Sequence, residues 1–206
     1  RSRGLGDVYK RQYEIFEMKT DGTSIRQLTS GIGECFAPDI SPDGARIVFE
    51  RVVNKKSYIA VMDRDGSNVI NVNNYLNARD PVWSPDGSEI LFTASPAGEL
   101  QIYRMNTDGT NVRRITALKG LSGPADWISV GKMASYRGSY EAHNRELFLF
   151  DEGSEPDYIT DGGDNLTPSF SPDGVWIAFM SYRDHFWHED GCEIYIMRLV
   201  DQKTIR

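Results

Sequence analysis

The sequence predicts an all-β fold in which one four-stranded antiparallel unit is repeated along the chain, and three observations lead to this prediction. The string SPDG occurs three times, with starts 43 and then 87 residues apart, so the second interval spans two periods. A series of short apolar segments, from EIFEM to EIYIM, recurs at a similar spacing. The apolar runs are short, rich in Ile, Val, Phe and Tyr, and bounded by Gly, Pro, Asp and Asn, which is typical of strands rather than helices.

The first two strands of each unit, which we label a and b, flank the SPDG string. Intact copies lie at Ser41–Gly44, Ser84–Gly87 and Ser171–Gly174, and a decayed copy at Ile128–Gly131 keeps only the glycine. Proline presets φ at the second position of a turn, and glycine supplies a positive φ at the fourth. SPDG therefore predicts a tight a–b turn.

The last two strands, c and d, flank a second turn. Strand c is predicted at EIFEM (14–18), YIAVM (58–62), QIYRM (101–105), ELFLF (146–150) and EIYIM (193–197). Asp-Gly pairs at 21–22, 65–66 and 108–109 follow three of them and predict hairpins, since tight hairpins need positive φ values. A short strand d then often ends in Thr, as in IRQLT, VRRIT and DYIT.

Four antiparallel strands in a repeat of about 40–45 residues form the blade of a β-propeller. We expect about four and a half blades, truncated at both ends: a half blade at 13–29 and blades at 36–72, 80–116, 123–160 and 166–206. The predicted blade cores include Trp83, Phe92, Trp127, Phe170 and Phe179.

The motif P-x-W/F-SPDG-x-x-I-x-F, followed by I-Y-x-M-x-x-DG, resembles the WD-like, PD40-type propeller repeat of the TolB family. The resemblance covers Tyr13 to the C-terminus. It implies a propeller and suggests a periplasmic or secreted bacterial protein. Similar repeats occur in TolB, in propeller domains of prolyl-oligopeptidase-like enzymes and in some polysaccharide lyases, so the resemblance by itself does not fix a function.

The first twelve residues, RSRGLGDVYKRQ, share no pattern with the repeats. They resemble a translated sequencing adapter, so we expect residues 1–12 to be a non-native, disordered segment. The alternative is a native basic arm that binds nucleic acid or membrane. Because both ends of the repeat region fall in mid-blade and leave strand edges unpaired, we expect a fragment translated from assembled metagenomic DNA.

The net charge and the length of the apolar runs argue against two classes of partner. The formal net charge is −7, and it becomes −10 without the first twelve residues. An acidic propeller is not expected to bind nucleic acid through phosphates, which needs a basic surface. No apolar run approaches the roughly 20 residues of a membrane span, so no direct membrane insertion is expected.

The candidate site lies on the face of the propeller that carries the b–c and d–a loops, which we call the loop face. The segments 135–146 and 181–193 both start with Ser-Tyr-Arg and hold all three histidines of the chain. Aromatic side chains there would stack on a sugar or grip a peptide, and the arginines would hold a carboxylate in bidentate fashion. The candidate ligand-binding residues are Tyr136, Arg137, Tyr140, His143, Tyr182, Arg183, His185, Phe186, Trp187 and His188.

The same histidines raise the question of a metal. His143, His185 and His188, with Glu189, would suit a transition ion, so a divalent metal is the alternative to the absence of any cofactor. The simplest alternative is a loop insertion that covers a blade edge with surface histidines. The sequence contains no nucleophile elbow, phosphate-binding loop or H-E-x-x-H motif, and no catalytic residue is predicted.

These observations favour a non-catalytic TolB-like module that binds a protein or a small ligand on its loop face. The first alternative is the propeller domain of a prolyl-oligopeptidase-like serine peptidase whose catalytic domain is missing. The second is a metal-dependent oligosaccharide lyase. The oligomeric state stays open at this point.

Reading the parent DNA across codon 13 tests the interpretation of the first twelve residues. If they derive from an adapter, the natural DNA encodes strands a and b of a further blade in their place, because strand c at 14–18 then has its partners. Recovery of codons for RSRGLGDVYKRQ in the natural gene would show that the basic arm is real.

Overall fold

The computed structural model describes residues 13–73, 77–121, 123–129, 131–139, 141–184 and 191–205. Within these ranges every regular element is a strand, and no helix there could span a membrane. The segment 1–12 lies outside the described residues, so its adapter origin stays a prediction.

The strands form four four-stranded antiparallel sheets and one strand pair, which confirms the predicted propeller fold. The pair consists of β1 (Phe16–Glu17) and β2 (Arg26–Gln27). The four sheets, blades 1 to 4, each contain strands a to d in chain order. Blade 1 contains β3 (Glu34–Ile40), β4 (Arg46–Val53), β5 (Lys56–Asp63) and β6 (Ile70–Asn71), and blade 2 contains β7 (Arg79–Trp83), β8 (Glu89–Ala94), β9 (Gln101–Asn106) and β10 (Arg113–Arg114). Blade 3 contains β11 (Asp126–Ser129), β12 (Lys132–Arg137), β13 (Glu146–Asp151) and β14 (Asp157–Tyr158), and blade 4 contains β15 (Asn165–Phe170), β16 (Trp176–Ser181), β17 (Glu193–Arg198) and β18 (Lys203–Ile205).

The SPDG turn is held by its own side chains. In blade 2 the Ser84 hydroxyl donates to Asp86 Oδ1 at 2.7 Å and accepts from the Glu89 N–H at 2.9 Å. Asp86 Oδ1 also accepts from the Ser88 N–H at 3.0 Å, and the Gly87 N–H donates to the Ser84 carbonyl at 2.9 Å. The same bonds recur in blades 1 and 4, at Ser41 with Asp43 and at Ser171 with Asp173.

The threonine that often ends strand d fixes the start of strand c. The Thr116 hydroxyl accepts from the Ile102 N–H at 3.0 Å and donates to Gln101 Oε1 at 2.8 Å. Equivalent bonds join Thr29 to Ile15 and Glu14, and Thr160 to Leu147 and Glu146. The recurring threonine thus satisfies a backbone donor that the short strand d leaves unpaired.

The core lies between blades rather than within them. One apolar cluster joins blades 1 and 2, a second joins blades 2 and 3, and a third joins blades 3 and 4. A fourth packs the strand pair β1–β2 on blade 1. The predicted core residues Trp83, Phe92, Trp127 and Phe179 are buried, and Phe170 packs half-buried on the third cluster.

Strand a lies innermost, and carboxylates link these strands from blade to blade. Asp39 Oδ2 accepts from the Trp83 N–H at 2.7 Å, and Asp126 Oδ2 accepts from the Phe170 N–H at 2.8 Å. Burial raises the pKa of Asp39, and the nearby Asp126 carboxylate raises it further. Strands a of blades 1 and 3 therefore face the same central space.

The SPDG turn generates a prediction about pH. The Ser84 hydroxyl, together with bonds from Ser88, lowers the pKa of Asp86, so the ionised form stabilises the fold above the unfolded-state pKa of about 3.9. That stability is lost as pH falls through the lowered folded-state value. Asp86→Asn should therefore lower the thermal midpoint at neutral pH, and its difference from the parent chain should shrink as the pH falls below about 4.

Thermal unfolding followed by circular dichroism at several pH values measures this difference. Glu99→Gln, an exposed change in the b–c loop of the same blade, is the control and should have little effect. A difference between the parent and Asp86→Asn that is the same at acid and neutral pH would contradict the assigned role.

Candidate functional site

The loop face between blades 3 and 4 collects side chains from three neighbouring segments. Tyr136 lies near the end of β12, and Arg145 immediately precedes β13. Asp164 immediately precedes β15, and Tyr182 and Arg183 follow β16. Because all these positions are strand ends on one side of two adjacent blades, the fold brings them together.

A buried ion pair lies at the centre of this group. Arg145 donates from Nε to Asp164 Oδ1 at 2.7 Å and from Nη2 to Oδ2 at 2.6 Å, and its backbone N–H donates to Oδ1 at 3.1 Å. The two side chains are only 9% and 3% exposed. Burial acts to raise the pKa of Asp164, but the hydrogen bonds and charge of Arg145 outweigh it and leave this pKa below its ordinary value.

Tyr136 belongs to the apolar core, and it feels the charges of the ion pair. It is buried in the cluster between blades 3 and 4. A Cβ atom added at Gly123 would lie 1.8 Å from the Cζ atom of the ring, so glycine is needed where the two segments touch. Burial raises the pKa of Tyr136, the carboxylates of Asp80 and Asp164 add to the effect, and Arg145 opposes it.

Arg183 is held in a fixed orientation although it remains exposed. Its Nη2 donates to Asn165 Oδ1 at 2.9 Å, and its Nε donates to Ser181 Oγ at 3.1 Å. The guanidinium carbon lies 4.8 Å from the ring centroid of Tyr195. Its neighbour Tyr182 is tied down through its N–H, which donates to the Gly163 carbonyl at 3.0 Å.

His143 lies beside the ion pair. Its Nδ1 is 3.5 Å from Asp164 Oδ2, and its side chain is 20% exposed. Within the described ranges, no three His, Cys, Asp or Glu side chains gather as metal ligands would. The remaining candidates lie outside the described residues and stay predictions: Tyr140, His185, Phe186, Trp187, His188 and Glu189.

Arg137 is not brought into the group. Successive residues of a strand point to opposite faces of the sheet, and Arg137 follows Tyr136 directly. Its Nη1 donates to the Tyr158 hydroxyl at 3.1 Å, on strand d of the same blade. The shared Ser-Tyr-Arg string therefore does not give the two arginines equivalent roles.

Two further carboxylates extend the site toward blades 1 and 2. Glu50 accepts from the Ser57 hydroxyl at 2.8 Å, and Asp80 accepts from the Thr93 hydroxyl at 3.2 Å. Burial raises the pKa of both, and the charge of Asp80 raises that of Glu50 further. The charge of the exposed Arg79 acts in the opposite direction on both carboxyl groups, so this side of the loop face carries charges of both signs.

The sequence analysis missed Arg145, Asp164 and Asn165. One signal was present, because the residue preceding the predicted strand c is Tyr13, Ser57, Leu100, Arg145 or Cys192 in the five repeats. Arg145 is the charged member of that set, and it is buried. A charged residue that breaks a repeat pattern at a buried position needs a partner, and here that partner comes from the following d–a loop.

The sheets, the stacked blades and the loop-face site define a repeat-built β-propeller. The family model of the TolB β-propeller domain, PD40, matches residues 9–187. The chain belongs to that family, which confirms the resemblance read from the SPDG repeats.

Individual relatives agree with the family assignment. The chain is 30% identical over 173 residues to the Protein TolB homolog of Chlorobium luteolum, and the match covers 82% of this chain and 29% of that protein. The structure is similar to TolB from Acinetobacter baumannii, with a TM-score of 0.77 and 22% identity over 90% of this chain and 46% of that one. It is also similar to a puromycin hydrolase S511A mutant complexed with PGG, with a TM-score of 0.67 and 15% identity over 90% of this chain and 31% of that one. The chain thus spans less than half the length of these proteins, and the two solved structures show a shared fold alone.

The ion pair generates a prediction about stability. Either Asp164→Asn or Arg145→Met leaves one buried group without its partner, and we expect each to cost about 3–5 kcal/mol of unfolding free energy. The double variant should cost clearly less than the sum of the two, because no unpaired charge remains. Asn suits position 164 because Asp164 has a φ of 52° and Asn tolerates the left-handed region.

Urea unfolding of the full chain gives the three free energies. Arg137→Met, which removes one bond to the half-exposed Tyr158, is the control and should change the free energy by roughly 0.5 kcal/mol or less. Strict additivity of the two single changes would show that the pair is not coupled.

Proposed function

We propose that this chain is a non-catalytic binding module that recognises a segment of a partner protein, or a small ligand of the same chemistry, on its loop face. The observation that carries the proposal is the exposed Arg183, which Asn165 holds in place next to the buried Arg145–Asp164 pair. Binding residues are commonly found on loops positioned by a rigid scaffold, and here the ion pair ties two such loops together.

Arg183 is the group best suited to contact a ligand. The guanidinium of Arg145 is already paired with the carboxylate of Asp164, so we assign Arg145 a positioning role. Arg183 is exposed and oriented by Asn165 and Tyr195, so its guanidinium loses little freedom when it binds a carboxylate. Glu50 and Asp80, with Arg79 beside them, would offer hydrogen-bond acceptors and a donor to the same ligand on the other side of the loop face.

Family membership supports a bacterial protein placed in the periplasm or secreted, and we propose that location. The net charge of −7 supports a protein or small-molecule partner rather than nucleic acid. The shared fold with puromycin hydrolase supports the propeller domain of a peptidase as the first alternative. The lyase alternative depends on His143, His185, His188 and Glu189, of which His143 alone lies among the described residues.

Selection from a random peptide display library against the immobilised full chain tests the proposal. A selected peptide, labelled and titrated by fluorescence anisotropy, should bind Arg183→Ala at least tenfold more weakly than the parent, because the fixed guanidinium is lost. Asp108→Ala, in a c–d turn on the opposite face, should bind within twofold of the parent.

Two outcomes separate the alternatives. Selected peptides that bind Arg183→Ala as well as the parent would refute the loop-face assignment. Binding that vanishes in a chelator and returns with added zinc would favour the metal-dependent alternative.

A further inference from the structure

Asn165, the first residue of strand a in blade 4, is a buried polar side chain at a position where two other blades carry smaller and less polar residues. Its place, six residues before the serine of SPDG, is occupied by Cys35 in blade 1 and by Ala78 in blade 2. Asn165 is 0% exposed. A buried amide needs hydrogen-bond partners, so the groups around Asn165 decide which way its oxygen points.

Two acceptors fix the orientation of this amide. Asn165 Nδ2 donates to Glu146 Oε2 at 3.0 Å and to the Gly162 carbonyl at 2.9 Å. An ionised carboxylate and a carbonyl accept hydrogen bonds and cannot donate them. The amide nitrogen must therefore face Glu146, and the amide oxygen is left to face Arg183, whose Nη2 donates to it at 2.9 Å.

Arg183 is held between blades 3 and 4, which are both complete four-stranded sheets. Its guanidinium carbon lies 5.4 Å from the ring centroid of Phe179 and 4.8 Å from that of Tyr195, and both rings belong to the cluster between these blades. Its Nε and Nη2 donate to Ser181 and Asn165, while Nη1 takes no part in either bond. The bond to Asn165 therefore orients the guanidinium and leaves Nη1 for a ligand.

Glu146 also caps strand c of blade 3. It accepts from the Thr160 hydroxyl, and its Oε1 accepts from the Gly162 N–H at 2.6 Å. Because Oε2 accepts from both Thr160 and Asn165, the same carboxylate serves the cap and the amide.

Blade 2 shows that glutamine makes the same cap in a different way. Gln101 Oε1 accepts from both the Thr116 hydroxyl and the Leu118 N–H, and its Nε2 donates to the Leu118 carbonyl at 2.7 Å. Leu118 follows the threonine by two residues, as Gly162 does in blade 3. A glutamine in place of Glu146 would thus keep the cap but direct an N–H group to the acceptor that Asn165 now uses.

On the basis of the function proposed above, we propose that Glu146 is a positioning residue for Arg183 and acts through the amide of Asn165. The carboxylate holds the amide nitrogen, so the amide oxygen faces Arg183 and keeps the guanidinium in place for a carboxylate ligand. With glutamine at position 146, donor would meet donor at Asn165 Nδ2, the amide would turn, and Arg183 would lose its acceptor.

Side-chain 15N relaxation at the Nε–H groups of arginine in the full chain tests this role without a ligand. Arg183 Nε of the parent should have an order parameter of about 0.8, and Glu146→Gln should lower it below about 0.6 because the guanidinium is released. Arg183→Lys assigns the resonance, since the signal disappears. An unchanged order parameter in Glu146→Gln would overturn the proposal.

Glu14→Gln is the matched control, because Glu14 caps strand c of the pair β1–β2 in the same way, through Thr29 and Gly31. This variant should leave the order of Arg183 unchanged, and an equal loss of order in it would also overturn the proposal. If Glu146→Gln does not unfold cooperatively, Glu146→Asp, which withdraws the carboxylate from Asn165, repeats the test.

A double variant tests the route through Asn165. Asn165→Ala, which introduces the residue found at the matching position of blade 2, should loosen Arg183 by itself. Adding Glu146→Gln to it should lower the order parameter no further, since the amide that connects the two residues is already gone. A further drop would show that Glu146 acts by another route.

The peptide selected against the parent chain separates this inference from the proposed function. It should bind Glu146→Gln about three- to tenfold more weakly than the parent, because Arg183 must then be ordered on binding. Unchanged affinity despite a loosened Arg183 would overturn the positioning role. Unchanged affinity of Arg183→Ala would instead refute the proposed function, whatever the relaxation of Arg183 shows.

Discussion

Burial of each sheet between its neighbours is the constraint on which the rest of this structure depends. A four-stranded sheet with two apolar faces exposes apolar surface to water unless another element packs on each face, so it must be stacked on both sides. The clusters between blades contain the largest fully buried side chains, among them Phe49, Phe92, Phe148 and Phe179. The contacts between neighbouring blades therefore supply most of the stability, as in other repeat proteins. Each blade depends on the blades that flank it. The loop-face site inherits this dependence, because Arg145 and Asp164 reach each other only when blades 3 and 4 are stacked.

The repeated polar residues have a different task, which is to satisfy the ends of short strands. Serine and aspartate of SPDG bind each other and the adjacent backbone, and threonine does the same at strand c. Blade 3 shows how far this device can be lost. Its decayed a–b turn keeps Gly131 with a φ of 96°, and Trp127 still pairs with Met133 in the β11–β12 ladder. Blade 3 still forms because its apolar residues still pack against the neighbouring blades. The polar turn residues therefore add to the stability of a fold that apolar burial already specifies.

The same scaffold can serve different proteins because its function is carried by the loops. TolB and puromycin hydrolase both share this fold with the chain, at 22% and 15% identity. On the loop face here, the ion pair fixes two loops, and Arg183 projects from the loop that Asn165 supports. In the proposed function Arg145 and Asp164 position the loops and Arg183 contacts the ligand, so few side chains would lose conformational freedom on binding.

The sequence by itself determined the repeat, the strands, the turns and the family, because these follow from local spacing, turn chemistry and apolar periodicity. It also placed Tyr136, His143, Tyr182 and Arg183 on one face, since strand ends alternate between two sides of a blade. Strand alternation already puts Tyr136 and Arg137 on opposite faces of the sheet, but only the tertiary structure decided that Tyr136 is the one facing blade 4. Only the tertiary structure paired Arg145 with Asp164, since nothing local links residues in two loops until neighbouring blades stack.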